Sequence, residues 1–196
     1  MDRSVLMDLA AALRKLSDLD DEAVAQLAPL VRQQDIGAGS HLLRAGERAT
    51  NGAMVLRGVL REFFILADGK ERTRWFAREG DLIGSLSDLL SGLPARASIV
   101  ALTPAKVLVV PWVAFDNLCQ REHSWSMFAR RLAESLYIRK SEREYELLAL
   151  PADERYQRFR ERHPGLETRV SQVHVASYLG ITPEHLSRLR RRHKAS

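Results

Sequence analysis

A single cysteine, Cys119, stands in a chain of 196 residues. No disulfide can form within the chain, and no cluster can be held by several thiolates of one copy. The simplest setting is a reducing, cytoplasmic one. No apolar run approaches the ~20 residues that span a bilayer, and the N-terminus lacks a secretory-leader pattern, so no membrane partner is expected. The six histidines are scattered, with no pair at metal-ligand spacing, and no metal site is expected. Nor does any nucleophile–base pair or pair of carboxylates stand at motif spacing. No catalytic residue is expected, and an enzyme built on an all-β roll is disfavoured.

What is present is an ordinary core-forming composition, 45% hydrophobic and 28% charged, in a chain long enough to bury a core without staples. The charge is unevenly placed. From Val170 onward stand five bases (Arg188, Arg190, Arg191, Arg192, Lys194) against one acid, Glu184, a net +4 of the whole chain's +5. In the same stretch Val173, Ala176, Tyr178 and Leu179 read as the apolar side of a short helix. Gly180 supplies a residue that tolerates positive φ, and Ile181 reads as an apolar plug beside the turn. Thr182 reads as the cap of a second helix, with Pro183 at its first position and Glu184 in its first turn. Leu186 and Leu189 then face inward, while Glu184, His185, Ser187, Arg188, Arg191 and Arg192 look outward. Two short helices about a glycine turn, the second capped and basic, are the pattern of a helix-turn-helix that reads DNA.

Upstream, residues 1–16 and a second segment reaching about Arg32 have helical apolar spacing. Between Gln33 and Pro111 the texture changes to short β-type runs at 34–36, 41–44, 53–57, 59–66, 72–76, 96–102 and 107–110. Glycine turns separate them, Asp68-Gly69 being the clearest hairpin signal; this pattern predicts a small antiparallel sandwich or roll. Leu82-Ile83 reads as a strand end followed by a short helix, with Gly84 near a helix N-terminus that can receive an anion. After Pro111 come a short helix at 112–119 and a long one from about Ser124, with Trp125, Phe128, Leu132, Leu136, Leu147 and Leu150 along one stripe. Its mostly charged part, 139–146, predicts ion pairs at i,i+4, and the long helix is expected to pair with a second copy, the alternative being that it packs on its own domain. Pro151 opens a hinge, and a further helix is expected at 153–163.

This order of elements resembles the cyclic-AMP receptor / fumarate-nitrate-reduction regulator (Crp/Fnr) family over essentially the whole chain. The strongest points are residues 69–85, the Leu90-Ser-Gly-Leu-Pro94 loop and residues 176–188. The resemblance implies an α+β fold: an N-terminal antiparallel β-roll (a double-stranded β-helix or jelly roll) of the cyclic-nucleotide-binding-domain kind, a long dimerisation helix, and a C-terminal all-α helix-turn-helix domain. The corresponding divisions are residues 1–118, 119–150 and 151–196. It implies a homodimeric transcription regulator with double-stranded DNA and, further, RNA polymerase as partners. The family's Glu-x-x-x-Arg reading pair falls on Glu184 and Arg188, with Thr182, His185, Ser187, Arg191 and Arg192 as further DNA contacts. The similarity is to short members that end soon after this helix, so the usual β-wing is expected to be missing.

The effector site implied by the resemblance comprises Gly84, Ser85, Leu86, Arg96, Ala97 and Ser98. Members that bind cyclic AMP have Gly-Glu-Leu and Arg-Ser-Ala there; this chain has Gly84-Ser85-Leu86 and Arg96-Ala97-Ser98. Arg96 keeps a cation for an anionic ligand, but the ribose-reading carboxylate is replaced by Ser85. The effector is a cyclic nucleotide, another small anionic molecule, or none, and Arg96 reads equally as a surface arginine on a strand. Ser135 and Ser141 are the long helix's candidates for an adenine contact. The family's iron–sulfur chemistry needs more cysteines than Cys119. A haem would need His41 or Cys119 as ligand, and Cys119 reads more readily as inert than as a redox thiol. The rival reading is a ligand-binding signalling module whose tail does not read DNA.

Overall fold

The computed structural model describes residues 3–195, with side chains as far as His193. Met1 and Asp2, at the head of the first expected helix, and the Lys194 side chain, counted in the tail's charge, lie outside the described residues. Two helices open the chain, α1 (Arg3–Arg14) and α2 (Asp21–Leu27). Asp20 caps α2 by accepting the Ala23 N–H at 2.8 Å. The sequence predicts α2 to run to about Arg32. It stops at Leu27 and passes into a 3₁₀ turn at Ala28–Leu30, where Pro29 has no N–H to continue the ladder, and Arg32 already begins a strand.

The strands are β1 (Arg32–Ile36), β2 (His41–Leu43), β3 (Asn51–Arg57), β4 (Leu60–Ile65), β5 (Glu71–Ala77), β6 (Leu82–Ile83), β7 (Ser98–Ala101) and β8 (Ala105–Pro111). They form two four-stranded antiparallel sheets, β1-β8-β3-β6 and β2-β7-β4-β5. Val55, Val107 and Val109 of the first sheet and Leu60, Ala77, Ile99 and Ala101 of the second pack together between them as the roll's core. Register shifts at Val55/Arg57 in β3 and Glu62/Phe63 in β4 bend these strands as a roll requires. The short helix α3 (Leu86–Ser91) interrupts the roll between β6 and β7.

After β8 come α4 (Trp112–Arg121), α5 (His123–Ala149), α6 (Ala152–Arg162), α7 (Gln172–Leu179) and α8 (Pro183–Ala195). A second core joins α1, α2, α4 and the start of α5 to Met54 and Leu108 of the first sheet. At its centre Trp125 meets Phe115 and Phe128 edge-to-face, with centroids 6.0 and 5.4 Å apart. A third core clusters Tyr156, Phe159, Leu166, Val175, Ala176, Tyr178, Leu179, Leu186 and Leu189 of the C-terminal helices with Val59 and Phe76 of the roll. Two expectations are corrected here. Val173 is exposed and Val175 takes the buried place in α7, because α7 docks against β5 as well as α8. The charged part of α5 pairs Arg143 with Glu146 at i,i+3 instead of i,i+4, and it is covered on one side: Glu146 is 1% exposed and Arg139 faces the roll, while Lys140, Glu142 and Glu144 are exposed.

Gly58, between β3 and β4, has φ +99°, and a Cβ there would lie 2.7 Å from the Ala105 Cα and Cβ and the Pro104 carbonyl oxygen. Gly69 in the Asp68-Gly69 turn also has positive φ, +78°, but faces open space. Gly58→Ala is predicted to lose roughly 2–4 kcal/mol, strain and overpacking combined, and Gly69→Ala about 1 kcal/mol. Urea melts of the two variants check the contrast; equal losses would contradict the packing described at Gly58.

Candidate binding cavity and the exposed basic helix

β4, β5, residues 84–90 and α5 enclose a cavity of about 280 Å³. Its walls carry four bases, Arg74, Arg139, Lys140 and Arg143, against one acid, Glu62. The Arg139 guanidinium stacks 4.1 Å from the centre of the Trp75 ring, and the buried indole N–H of Trp75 has no hydrogen-bond partner among the described residues. Glu62 projects from the bulged part of β4 and is paired with Arg74 at 2.6 Å. Burial pushes the Glu62 carboxyl above its ordinary range, against the opposing pull of Arg74 and Arg139. Burial likewise lowers the pKa of Arg139. A second, mainly apolar cavity of about 110 Å³ adjoins the first and shares Glu62, Trp75, Gly84, Leu86, Leu136 and Arg139 with it.

Gly84 and Leu86 line the larger cavity. The other candidate effector residues are placed differently. Ala97 and Ser98 are buried, the Ser98 hydroxyl accepting the Ala45 N–H at 2.9 Å. Ser85 is also buried, and its hydroxyl donates to the Asp88 carboxylate at 2.5 Å. The same carboxylate accepts the Arg96 backbone N–H at 3.3 Å and lies 3.6 Å from the Arg96 Nε. The Arg96 side chain is 76% exposed and is not among the lining residues. The loop's hydroxyl, N–H and guanidinium therefore already hold an anion, and it is the chain's own Asp88. Ser135 donates to the Leu132 carbonyl at 2.8 Å, and neither it nor Ser141 lines the cavity. Burial pushes the Cys119 thiol up to about 11, so it is un-ionised at neutral pH, and no group of three metal-ligating side chains occurs among the described residues.

From the cavity wall a polar chain leads to the C-terminal helices. Arg143 donates to the Tyr178 carbonyl, lies 3.9 Å from the centre of the Tyr178 ring and pairs with Glu146 at 3.2 Å. Arg162 of α6 pairs with the other Glu146 oxygen at 2.5 Å and donates to the Tyr178 hydroxyl at 3.1 Å. Arg155 takes the Leu179 carbonyl at 3.0 Å. The orphan carbonyls at the end of α7 are thus met by arginines, as the helix dipole favours. On its other side α7 closes the open edge of β5: the Ser177 hydroxyl accepts the Thr73 N–H at 2.9 Å and donates to the Glu71 carbonyl at 3.0 Å. Arg169 adds a two-point pair with Glu79, which holds that carboxyl down at about 2.

Gly180 closes α7 in the left-handed conformation, with φ +68°. Thr182 then accepts the His185 N–H at 3.2 Å, and Pro183 opens α8. Leu186 and Leu189 are buried, whereas Thr182, Glu184, Ser187, Arg188, Arg191 and Arg192 are exposed and His185 is half-buried. Arg190 leans back toward Glu167 at 3.6 Å, and His193 toward Asp153 at 2.9 Å. Hydrogen bonding to backbone N–H and to Thr182 keeps Glu184 below its ordinary range, so it is ionised and an acceptor.

Sequence reasoning missed the cavity residues Glu62, Arg74, Trp75, Arg139, Lys140 and Arg143, and it missed Asp88. One signal was available: Glu62 interrupts an otherwise β-type run, where a carboxylate needs a partner.

Residues 33–122 match the family of the cyclic nucleotide-binding domain. No curated protein matches the chain. Among solved structures the chain is similar to FixK2 from Bradyrhizobium japonicum, at 20% identity and a TM-score of 0.68, over 84% of this chain and 85% of that one. It is similar to the catabolite activator protein of Thermus thermophilus, at 22% identity and a TM-score of 0.60, over 92% and 85%. It is also similar to a cyclic nucleotide-binding domain from Methylobacillus flagellatus KT, at 21% and 0.66, over 74% and 83%. At these identities the likeness is one of fold: a cyclic-nucleotide-binding-type β-roll, within an α+β chain that continues into several C-terminal helices.

His163 sits between the roll and those helices, 3% exposed and ringed by Trp75, Phe76, Phe159 and Tyr178. Burial, with Arg162, Arg78 and Arg143 nearby, pushes it down to about 3. An unfolded chain takes up this proton near pH 6.5 and the folded one only near 3, so folding loses stability as pH falls through that window. His163→Phe is predicted to flatten the fall by up to about 1.4 kcal/mol per pH unit. Denaturant melts at pH 7, 5 and 4 check this; parallel pH profiles for the two proteins would contradict it.

Proposed function

We propose that this chain is a homodimeric, DNA-binding transcription regulator of the Crp/Fnr type, acting in the cytoplasm and not as an enzyme. A small molecule at the roll governs the placement of a C-terminal helix-turn-helix. The observation that carries the reading is the outer face of α8. Glu184 and Arg188 stand one turn apart and exposed, with Thr182, His185, Ser187, Arg191 and Arg192 around them, above a buried Leu186/Leu189 seam. A carboxylate can accept from cytosine N4 and a guanidinium can fork onto guanine, while the neighbouring bases and hydroxyls suit phosphates. The roll's family match and the similarity to FixK2 and to a catabolite activator protein support the same reading.

Pairing through α5 is supported by Ile138, Tyr145 and Leu148, which follow the seven-then-three spacing of a coiled-coil seam and are 61%, 51% and 80% exposed. Two α8 helices brought to about 34–36 Å apart would meet successive major grooves of one operator. In this scheme residues 1–118 sense, 119–150 pair and relay, and 151–196 read DNA, with RNA polymerase as a further partner. The relay runs through Arg143, which belongs to the cavity wall and also holds the end of α7. An anionic ligand that draws Arg143 into the cavity weakens that hold, and so shifts the helix-turn-helix relative to the roll. Of the expected effector residues Gly84, Ser85, Leu86, Arg96, Ala97 and Ser98, Gly84 and Leu86 are then the ones placed to meet the ligand.

Selection from a random duplex pool, followed by anisotropy titrations at several salt concentrations, tests the reading. The expected product is a two-fold symmetric site. Arg188→Ala is expected to weaken binding to it about 5- to 150-fold while leaving weak, salt-sensitive binding to unrelated DNA. Leu148→Lys is expected to sediment as a monomer and lose the symmetric site. Absence of any enriched sequence, with wild type bound only as tightly as unrelated DNA, would favour the signalling-module reading.

A further inference from the structure

The two adjoining cavities differ sharply in chemistry. The outer one is basic, with Arg74, Arg139, Lys140 and Arg143 against a Glu62 already paired to Arg74. The inner one runs between α1, the first sheet and α4–α5, and is walled by Leu9, Leu13, Leu108, Phe115, Phe128 and Leu132. Its volume of about 110 Å³ is room for a short acyl or aryl group. At the neck between the two stand Trp75, Leu136 and Arg139. A basic cavity adjoining a mainly apolar one suits an amphipathic anion.

We infer that the chain binds a small carboxylic acid with a short acyl or aryl tail: the carboxylate on the outer bases, the tail past Trp75 into the inner recess. This rests on the reading of the outer cavity as the effector site and names its ligand class. A cyclic nucleotide fits these walls less well, because a ribose or purine edge would find few polar partners in the inner recess. The stacked Arg139 of the outer wall presents a planar guanidinium that suits a planar carboxylate.

The test is calorimetric titration of the full chain with a series of straight-chain carboxylates from acetate to decanoate, with 1-hexanol and cyclic AMP as separate arms. Affinity should rise about fourfold per methylene as the recess fills and fall once it is full. Acetate and 1-hexanol should each bind at least tenfold more weakly than the best acid. Lys140→Glu, at an exposed position, should weaken the best acid several-fold and leave 1-hexanol unchanged. Leu132→Phe should move the optimum to a shorter acid; if that variant does not fold, the wild-type chain-length optimum still decides. A flat series, or cyclic AMP binding while no acid binds, would overturn the ligand class but leave the effector site standing. An acid that binds as described yet leaves affinity for the selected DNA unchanged would uphold the ligand class and overturn the site's regulatory role.

Discussion

The placement of the C-terminal helices depends on one buried carboxylate. Glu146 is 1% exposed on α5 and lies between Arg143 of its own helix and Arg162 of α6. Burial alone would raise its pKa; the hydrogen bonds and charges of Arg162 and Arg143 together outweigh that and hold the carboxyl below its ordinary range. Such a group is stable only while both partners stay, because removing one partner of a buried pair costs about 3–5 kcal/mol. Both arginines also reach Tyr178, one at its carbonyl and one at its hydroxyl. Three helices therefore converge on a single ionised group, and Ser177 then ties the assembly to the edge of β5.

That arrangement gives the cavity a physical route to α8. Arg143 serves the cavity wall, the Glu146 pair and the end of α7, so a ligand anion that drew its guanidinium into the cavity would strain its bonds to Glu146 and Tyr178. In the proposed function, competition of this kind would supply a coupling free energy of the usual ~1–3 kcal/mol, and linkage would make it reciprocal. The Asp88 loop works the other way. Its hydroxyl and N–H are satisfied from within, and its guanidinium lies 3.6 Å from the same carboxylate, so an anion entering there meets the charge of Asp88. The outer bases are therefore the less costly place for an incoming negative charge.

The roll was largely legible in the sequence, because its strands read as short β-type runs and its turns carry Asp68-Gly69 and other glycines. The Thr182-Pro183 start of α8 was legible for a similar reason: cap chemistry is local and needs no tertiary knowledge. The cavity was not. Glu62, Trp75 and Arg139 lie on different elements, and no spacing within one element reveals that Arg139 will stack on Trp75. The charged run at 139–146 does not disclose a buried carboxylate, because periodicity reports charge but not what covers it. Only the docking of α6 and α7 turns Glu146 into a buried group. Val173 and Val175 fail as a pair for the same reason, since α7 is covered from two sides and a one-sided stripe misassigns which valine is inside.

Amide hydrogen exchange in Glu146→Gln most directly tests the dependence of this architecture on that carboxylate. The Thr73 N–H is protected by the Ser177 hydroxyl of α7, whereas β3 and β8 pair within the roll. The account predicts that Thr73 and the α7 amides exchange at least about tenfold faster in the variant, with the β3–β8 ladder unchanged. Undiminished protection at Thr73 in the variant would contradict it, because α7 would then be held to the roll without Glu146.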